Sequence, residues 1–168
     1  MASYSYKGME VSVADLDQEH KGFFEAAREH RLVVKKCKGC ALLRWDPSPA
    51  CPWCASLEWE WQQVSGNGTI YSYEIVTQPI QPGFRDWVPY PIVLVELDEQ
   101  RGVPTAAEAL RMIGNLVDSN FGPEKEGNVA IGKRVEVAFM EAAPGFVLPQ
   151  FRLSSEPPQG PVWQFQQR

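Results

Sequence analysis

All four cysteines of the chain lie in two C-x-x-C pairs, Cys37 with Cys40 and Cys51 with Cys54, and ten residues separate the pairs. A C-x-x-C pair brings two thiolates to one tetrahedral ion from a single tight turn, and two such turns complete a closed four-sulfur shell. Such a shell is typical of a structural metal site. Tetrahedral sulfur sites hold zinc or iron, and we expect zinc here. The intervening residues predict a short β-hairpin that brings the second turn beside the first.

Two disulfides or a pair of redox-active C-x-x-C motifs are the alternatives. Disulfides need an oxidising compartment, but the segment 1–10 is polar and lacks the apolar run of a signal peptide. A redox motif lies between a strand and a helix, and Pro47, Pro49 and Pro52 make this segment a poor helix former. We therefore favour the metal site. The basic residues around it are predicted to compensate the charge of the thiolates; they are Lys35, Lys36, Lys38 and Arg44.

The composition is that of a folded protein of one ordinary domain or two small ones. Of the 168 residues 44% are hydrophobic, and 21 acidic against 16 basic side chains give a net charge of −5. This balance disfavours a nucleic-acid partner, because binding to phosphates depends on an excess of positive charge. The apolar runs are too short for a membrane span. The cysteine usage and the absence of a targeting signal predict a cytoplasmic protein.

The N-terminal part is predicted to be an arm without regular structure over residues 1–14, followed by an amphipathic helix over Asp17–His30 that Asp15 or Asp17 caps. The apolar stripe of this helix, with Phe23 and Phe24, is expected to pack either on the metal ribbon or on another subunit. His20 and His30 would lie about 15 Å apart along the helix, too far for a shared proton relay.

Apolar and β-branched runs predict a series of short strands after the helix. About five strands beyond the ribbon, with turns between them and no βαβ rhythm, favour a small closed Greek-key barrel, and an OB-fold fits that count. Pro104–Arg111 is ambiguous, because Thr105 to Glu108 has the pattern of a helix capping box; the fold favours a strand through Val117. The predicted strands are Leu32–Lys36, Glu58–Trp61, Thr69–Val76, Ile92–Leu97, Met112–Val117, Arg134–Met140 and Phe146–Leu153.

Two irregular segments carry large aromatic residues. The stretch Gln78–Pro91 contains four prolines together with Phe84, Trp87 and Tyr90, and we expect these rings either to close the end of the barrel or to form a contact surface. The polar tail from residue 154 to 168 contains Trp163 and Phe165. These two rings are expected either to dock on a partner or to fold back on the barrel.

The combination of parts resembles one family, the acyl-CoA-associated OB-fold proteins with a rubredoxin-like zinc ribbon. The resemblance extends from about Phe23 to Arg152, and the chain departs from it in the long loop Gln78–Pro91 and in an insertion around Phe121–Asn128. The motifs that carry it are Phe23-Phe24-Glu25-Ala26, the two C-x-x-C pairs, Gly68-Thr69-Ile70-Tyr71-Ser72-Tyr73, Val95-Glu96-Leu97, Gly114-Asn115-Leu116-Val117-Asp118, Ile131-Gly132-Lys133-Arg134-Val135-Glu136-Val137 and Leu148-Pro149-Gln150-Phe151-Arg152.

The resemblance implies a mainly β fold, with an N-terminal arm and helix over residues 1–30, a rubredoxin-like zinc ribbon over 31–61, a five-stranded OB-fold barrel over 62–153 and a tail over 154–168. It implies an accessory subunit that assembles with a thiolase-like or ketosynthase-like enzyme, and in some members with a hydratase, acting on coenzyme A thioesters. The partner carries the catalysis, and this chain scaffolds the complex and helps to shape the acyl-CoA site. Lys133, Arg134 and Arg152 would then face coenzyme A phosphates, or else lie at solvated strand ends.

The residues themselves agree with an accessory role. When a metal occupies all four thiolates, they offer no nucleophile, and a closed four-sulfur shell leaves no coordination position for a substrate. The sequence therefore predicts no catalytic machinery in this chain and a hetero-oligomeric assembly. Two other functions remain open: an OB-fold and zinc-ribbon module that binds nucleic acid, and an electron carrier that holds iron at the four cysteines.

Overall fold

The structure is a computed structural model that describes residues 2–13 and 18–165. In this part of the chain, ten strands form three antiparallel sheets, and one α-helix packs with them. The predicted helix caps Asp15 and Asp17 lie outside these residues. In chain order the elements are β1 (Ala2–Tyr6), β2 (Met9–Val13), α1 (Gln18–Arg28), β3 (Leu32–Cys37), β4 (Leu43–Arg44), β5 (Trp59–Val64), β6 (Gly68–Val76), β7 (Tyr90–Leu97), β8 (Arg111–Asn115), β9 (Arg134–Ala143) and β10 (Phe146–Leu153).

Strands β6 to β10 form a five-stranded sheet in the order β10-β9-β6-β7-β8. The ends of the sheet meet where Leu116 forms a parallel bridge with Phe151, and the N–H of Val117 donates to the carbonyl oxygen of Phe151 at 2.8 Å. This closure produces a Greek-key OB-fold barrel, which confirms the predicted fold class.

A three-stranded sheet in the order β4-β3-β5 precedes the barrel and carries the metal ribbon. One hydrophobic core joins this sheet, the helix and the barrel. Phe23 of α1, together with Leu32 and Val34 of β3, belongs to the same buried cluster as Val95 and Phe151 of the barrel. A ribbon of this length cannot bury a core of its own, so it shares the core of the barrel.

The N-terminal segment is a β-hairpin, and the prediction of an irregular arm is wrong. Strands β1 and β2 pair in antiparallel register from Tyr6 with Met9 outward. Lys7 and Gly8 form the turn with φ values of 51° and 72°, as a two-residue hairpin turn requires. Tyr4 of this hairpin stacks on Phe146 with the ring centroids 4.7 Å apart, which fastens it to the barrel.

Helix α1 ends two residues before the predicted end at His30. His30 lies in the left-handed region at φ 56°, and the N–H of Arg31 donates to the carbonyl oxygen of Ala26 at 3.0 Å. Helices commonly end through such a residue, although glycine usually takes this position. The ring of His30 stacks on Phe139 of β9 at 5.4 Å, a packing contact that helps to hold the end of the helix against the barrel. No helix in the described part of the chain is long and apolar enough to cross a membrane.

Strand β6 contains a bulge. Ile70 pairs with Val95 while Ser72 pairs with Leu94, so Tyr71 is the extra residue. The bulge shifts the side chains after it to the opposite face. Tyr71 is therefore exposed, and Ile70 and Tyr73 both contact the core, although regular alternation would place them on opposite faces.

The ambiguous segment Pro104–Arg111 contains neither helix nor strand before Arg111, where β8 begins. Thr105 and Glu108 bond to each other within a single turn, side chain to side chain and backbone to backbone, and not through the reciprocal side-chain-to-backbone bonds of a capping box. Leu110 is buried, and its carbonyl oxygen accepts a hydrogen bond from the N–H of Leu97 at 3.0 Å. Pairing with β7 therefore overrides the local helix propensity here.

Helix α1 approaches β5 closely through Gly22. A Cβ added at Gly22 would lie 2.1 Å from Nε1 of Trp61, whose ring is itself packed edge-on against Trp59. Alanine raises helix propensity by about 1 kcal/mol over glycine, but overpacking costs about 1–3 kcal/mol. We expect Gly22→Ala to lower the free energy of unfolding in urea. The control is Gly160→Ala, because a Cβ added at Gly160 would meet nothing within 4 Å. A Gly22→Ala variant that is more stable than wild type would contradict the close packing of Gly22 on Trp61.

Candidate metal centre and contact surfaces

The four cysteine sulfurs converge on one point, and all lie within 4.8 Å of one another. The closest pairs join the two turns, with Sγ of Cys37 3.5 Å from Cys54 and Sγ of Cys40 3.6 Å from Cys51. A tetrahedral zinc with bonds of about 2.3 Å holds its sulfur ligands about 3.8 Å apart. The separations are far longer than a disulfide bond and all four cysteines are free. The residues fit a structural metal ion, as predicted.

The two turns that carry the cysteines have the same backbone geometry. In each, the residue after the second cysteine donates its N–H to the carbonyl oxygen of the first, Ala41 to Cys37 and Ala55 to Cys51, both at 2.9 Å. Ala41 and Ala55 have φ values of 63° and 59°, a region that costs an alanine about 1–2 kcal/mol. The turn geometry therefore forms at these positions although glycine would adopt it more easily.

The backbone also prepares the first ligand for metal binding. Hydrogen bonds from backbone N–H groups, above all that of Cys40, lower the pKa of Cys37 to about 6. The N–H of Gly39 lies 3.3 Å from the same sulfur. A lowered pKa favours the thiolate, which is the form that binds metal.

The segment between the two pairs does not form the predicted hairpin of its own. Strand β4 pairs with β3 instead, and two buried cations hold the remainder. Nζ of Lys35 bonds to Glu19, lies 3.2 Å from the carbonyl oxygen of Ser48 and sits 3.8 Å over the ring of Trp59. Arg44 donates to the same Ser48 oxygen at 3.1 Å. Both residues thus hold the segment between the cysteine pairs in place, a role that the sequence did not predict.

Gln100 connects the ribbon to the barrel. Its side-chain amide accepts a hydrogen bond from the N–H of Leu43 at 2.7 Å and donates to the carbonyl oxygen of Leu43 at 2.8 Å. The amide thus pairs with β4 as another strand would, and Gln100 itself is buried. The sequence does not reveal this residue, because the pattern around a glutamine in a polar turn does not indicate that its amide pairs with Leu43, 57 positions away.

The apolar stripe of α1 faces the protein's own core. Phe23 is buried, and its ring centroid lies 4.5 Å from that of Trp45 in the ribbon. Phe24 packs towards Phe146 of β10 at 6.2 Å. Phe23 thus packs on the ribbon, as one of the two alternatives predicted, whereas Phe24 lies against the barrel and is only partly buried.

The aromatic loop is irregular, as predicted, and its rings contact one another. Phe84, Trp87 and Tyr90 have centroids 5.4–5.7 Å apart. The N-terminal hairpin covers the cluster, with Nζ of Lys7 3.7 Å from the centroid of Trp87. Burial lowers the pKa of this lysine. The loop therefore closes against β1 and β2, an arrangement that neither sequence alternative included.

The three predicted cationic contacts have different environments. Lys133 donates to the carbonyl oxygen of Asn128 at 2.7 Å, and Arg152 lies over the ring of Phe121, 5.1 Å from its centroid. Phe121 is itself half-buried. These two cations remain near the surface.

Arg134 is buried, and both sequence interpretations of it are wrong. Its guanidinium, with a side chain 2% exposed, binds Asp98 through two hydrogen bonds and Glu156 at 3.0 Å. The hydrogen bonds from Arg134 lower the pKa of Asp98. A guanidinium committed to two carboxylates in this way is not available to a phosphate group, and it ties the start of the tail to the barrel.

The tail folds back on the barrel and still exposes its rings. Trp163 and Ile131 exchange backbone hydrogen bonds at 2.8 and 3.0 Å, and the N–H of Phe165 donates to the hydroxyl of Tyr73 at 2.8 Å. Trp163 and Phe165 remain 57% and 64% exposed. The tail therefore folds back on the barrel, which is one of the two predicted alternatives, and docking on a partner stays a prediction.

Two sequence profiles of one family match the chain in succession. The rubredoxin-like zinc ribbon domain of ChsH2 matches residues 24–60, and the C-terminal OB-fold domain of ChsH2 matches residues 61–140. A chain of the solved structure of an Ltp2–ChsH2(DUF35) aldolase is 34% identical, with a TM-score of 0.68 over 84% of this chain and 98% of that one. A Sulfolobus solfataricus DUF35 protein of unknown function, 14% identical with a TM-score of 0.52, shares the fold.

Curated relatives match over shorter parts of their own lengths. A Thermomonospora curvata protein described as "Probable enoyl-CoA hydratase alpha subunit" is 36% identical over 82% of this chain, which spans 38% of that relative. A DUF35 domain-containing scaffold protein from Pyrococcus furiosus is 39% identical over 42% of this chain and 51% of its own. A scaffold protein of the same description from Methanothermobacter thermautotrophicus is 28% identical over 67% of this chain and 74% of its own.

The left-handed alanines of the metal turns lead to a prediction. Ala41→Gly and Ala55→Gly are each expected to raise the free energy of unfolding of the metal-bound protein by about 0.5–1 kcal/mol, because glycine adopts positive φ without strain. We also expect slower transfer of the metal to a chromogenic chelator, with the metal identified by mass spectrometry of the purified protein. Ala50→Gly, in the same segment without a positive φ, is the control and should show no gain.

The buried ion pair leads to a prediction about pH. Because the pKa of Asp98 is lowered in the folded state, its contribution to stability is present at neutral pH and is lost as pH falls through that pKa, below about pH 4. Asp98→Asn should therefore destabilise the protein at pH 7, and its difference from wild type should shrink in acid. Chemical denaturation across pH measures this. The control is Glu136→Gln, an exposed site on the same strand as Arg134, and a difference independent of pH would contradict the ion-pair account.

Proposed function

Since the chain belongs to the ChsH2 family, with a rubredoxin-like zinc ribbon followed by a C-terminal OB-fold domain, we propose that it is a non-catalytic accessory subunit of a thiolase-like acyl-CoA enzyme. It scaffolds the catalytic partner and helps to shape the site of the coenzyme A thioester. The reaction of the complex makes or breaks a carbon–carbon bond. The metal is structural zinc.

The observation that carries the proposal is the likeness to the Ltp2–ChsH2(DUF35) aldolase. This chain covers 98% of the matched chain at 34% identity, so the whole matched unit is present and not only one module. An aldolase acts on a carbon–carbon bond, which favours this reaction class over hydration. The relative described as an enoyl-CoA hydratase subunit is much longer than this chain, which matches only part of it. The description of that relative names an acyl-CoA substrate, and this supports the assignment of a coenzyme A thioester. The descriptions of the two archaeal relatives support a scaffolding role.

The chemistry of the described residues supports the division of labour. All four thiols of the chain meet at one point, so a bound metal occupies them together and leaves no position open for a substrate. His20 bonds to Asp46 at 2.8 Å on the ribbon, and His30 stacks on Phe139. Both imidazoles thus make contacts that hold the fold, and the nucleophile and the base are assigned to the partner. Four metal-binding thiolates also suit the reducing cytoplasm, where we place the complex.

Lys133 and Arg152 are the cations that we retain for contact with coenzyme A phosphates. Both lie near the surface on the barrel, whereas Arg134 is committed to Asp98 and Glu156. The net charge of −5 favours a thioester held by a few local cations over a nucleic acid, whose binding requires a broad positive surface.

The test is reconstitution with a thiolase-like enzyme from the genome that encodes this chain. We expect co-expression to yield one complex in size-exclusion chromatography and to raise turnover of an acyl-CoA substrate at least about tenfold over the partner alone. Cys40→Ser should lose metal and the gain in activity together, because the metal folds the ribbon. Ile80→Ser, at a loop position 91% exposed, is the matched control and should behave as wild type. A fully active partner that forms no complex with this chain would refute the proposal.

A further inference from the structure

Three carbonyl oxygens anchor the tail at Gln164. Its side-chain amide lies 2.9 Å from the carbonyl oxygen of Val129, 3.0 Å from that of Gly127 and 3.3 Å from that of Glu126. Backbone pairing of the preceding residue with Ile131 adds two more hydrogen bonds. The segment is thus held by the side chain of Gln164 and by the backbone of Trp163. Its position therefore does not depend on a partner.

This anchoring decides where the neighbouring rings lie. Alternate side chains of an extended segment point to opposite sides, so the amide of Gln164 enters the turn while Trp163 and Phe165 stand on the other side. There they remain largely exposed to solvent. Large apolar rings that are fixed in place and left in water are typical of a contact surface, since a tail that served only to cover the barrel would bury them.

The rings form one wall of a groove beside β6. The groove has a volume of about 390 Å³, with apolar walls and two carboxylates. Its lining includes Glu74, Ile75, Glu126, Ile131, Trp163 and Phe165. We call it the tail groove. Its apolar walls suit a narrow apolar chain, and the carboxylate of Glu74 suits a positive charge at the end of that chain.

The charge of the tail groove disfavours the ligand that the proposed function would first suggest. Coenzyme A carries several phosphate charges, and the carboxylate of Glu74 would repel them in a chain that is already at −5. A cation gains from two features of the groove, because it is attracted by the carboxylate of Glu74 and by the faces of the aromatic rings. Among cationic side chains, arginine has the planar group that stacks on a ring and bonds a carboxylate through two N–H groups at once.

We propose that the tail groove receives an arginine side chain of the catalytic partner. The methylenes pack against Ile75 and Ile131, and the guanidinium stacks on Trp163 and bonds to Glu74. This deepens the proposed function, on which it rests, by assigning the partner contact to the tail and not to the helix stripe. The aromatic loop, covered by the hairpin, is not needed for it.

The first experiment uses peptides as probes on the full chain. The indole N–H signal of Trp163, assigned with Trp163→Phe, is followed in an NMR titration with N-acetyl-Gly-Arg-Gly-amide and with the same peptide carrying neutral citrulline. We expect a saturable shift with the arginine peptide, with a Kd of about millimolar for so small a ligand, and none with citrulline. Glu74→Gln should weaken binding about three- to tenfold. An equal shift with citrulline, or with coenzyme A, would overturn the proposal.

The second experiment uses the complex of the preceding section. Trp163→Ala and Glu74→Gln should each weaken its association at least about fivefold, and Glu74→Gln should also reduce its dependence on salt. Ile80→Ser is again the control. If wild type forms no complex, the proposed function fails whatever the peptides show. If the complex forms and neither variant weakens it, the proposed function stands and the arginine site is refuted.

Discussion

The whole structure depends on one constraint, that four thiolates from two turns must meet within 4.8 Å although the ribbon that carries them is too short to bury a core. Two further features of the described residues help to meet this constraint. Lys35 and Arg44 hold the segment between the turns through the carbonyl oxygen of Ser48, to which both donate, and the ribbon shares the hydrophobic core of the barrel. Both cations are buried, and the carbonyl oxygens around them supply part of the hydrogen bonding that a buried charge requires.

Local patterns in the sequence were enough for the parts whose chemistry is local. The cysteine spacing gave the metal centre, and apolar alternation gave β7, β9 and β10 close to their observed bounds. The family resemblance gave the order of the parts. The missed features depend on distant residues. The bulge at Tyr71 needs its partner strand, and nothing near Lys35 or Arg134 in the sequence shows that each is buried beside a carboxylate far along the chain.

The aromatic residues that the sequence marks as possible contact surfaces differ in their exposure to solvent. Phe23 is buried in the core, and the N-terminal hairpin covers the loop around Trp87. The tail keeps its rings in solvent while its backbone is bonded to the barrel. A residue type alone could not separate these cases, because an aromatic ring serves equally well inside a protein and at an interface. Burial and hydrogen bonding distinguish them.

The amide of Gln100 and the shared core have a consequence for the history of the chain. The boundary between the two family profiles, at residues 60 and 61, falls inside strand β5. A recombination event at that point would divide a strand, leave Leu43 without its amide partner and expose the inner face of β3. Ribbon and barrel are therefore expected to have been inherited and exchanged as one unit, and a gene fusion that acquires this scaffold must acquire both halves together.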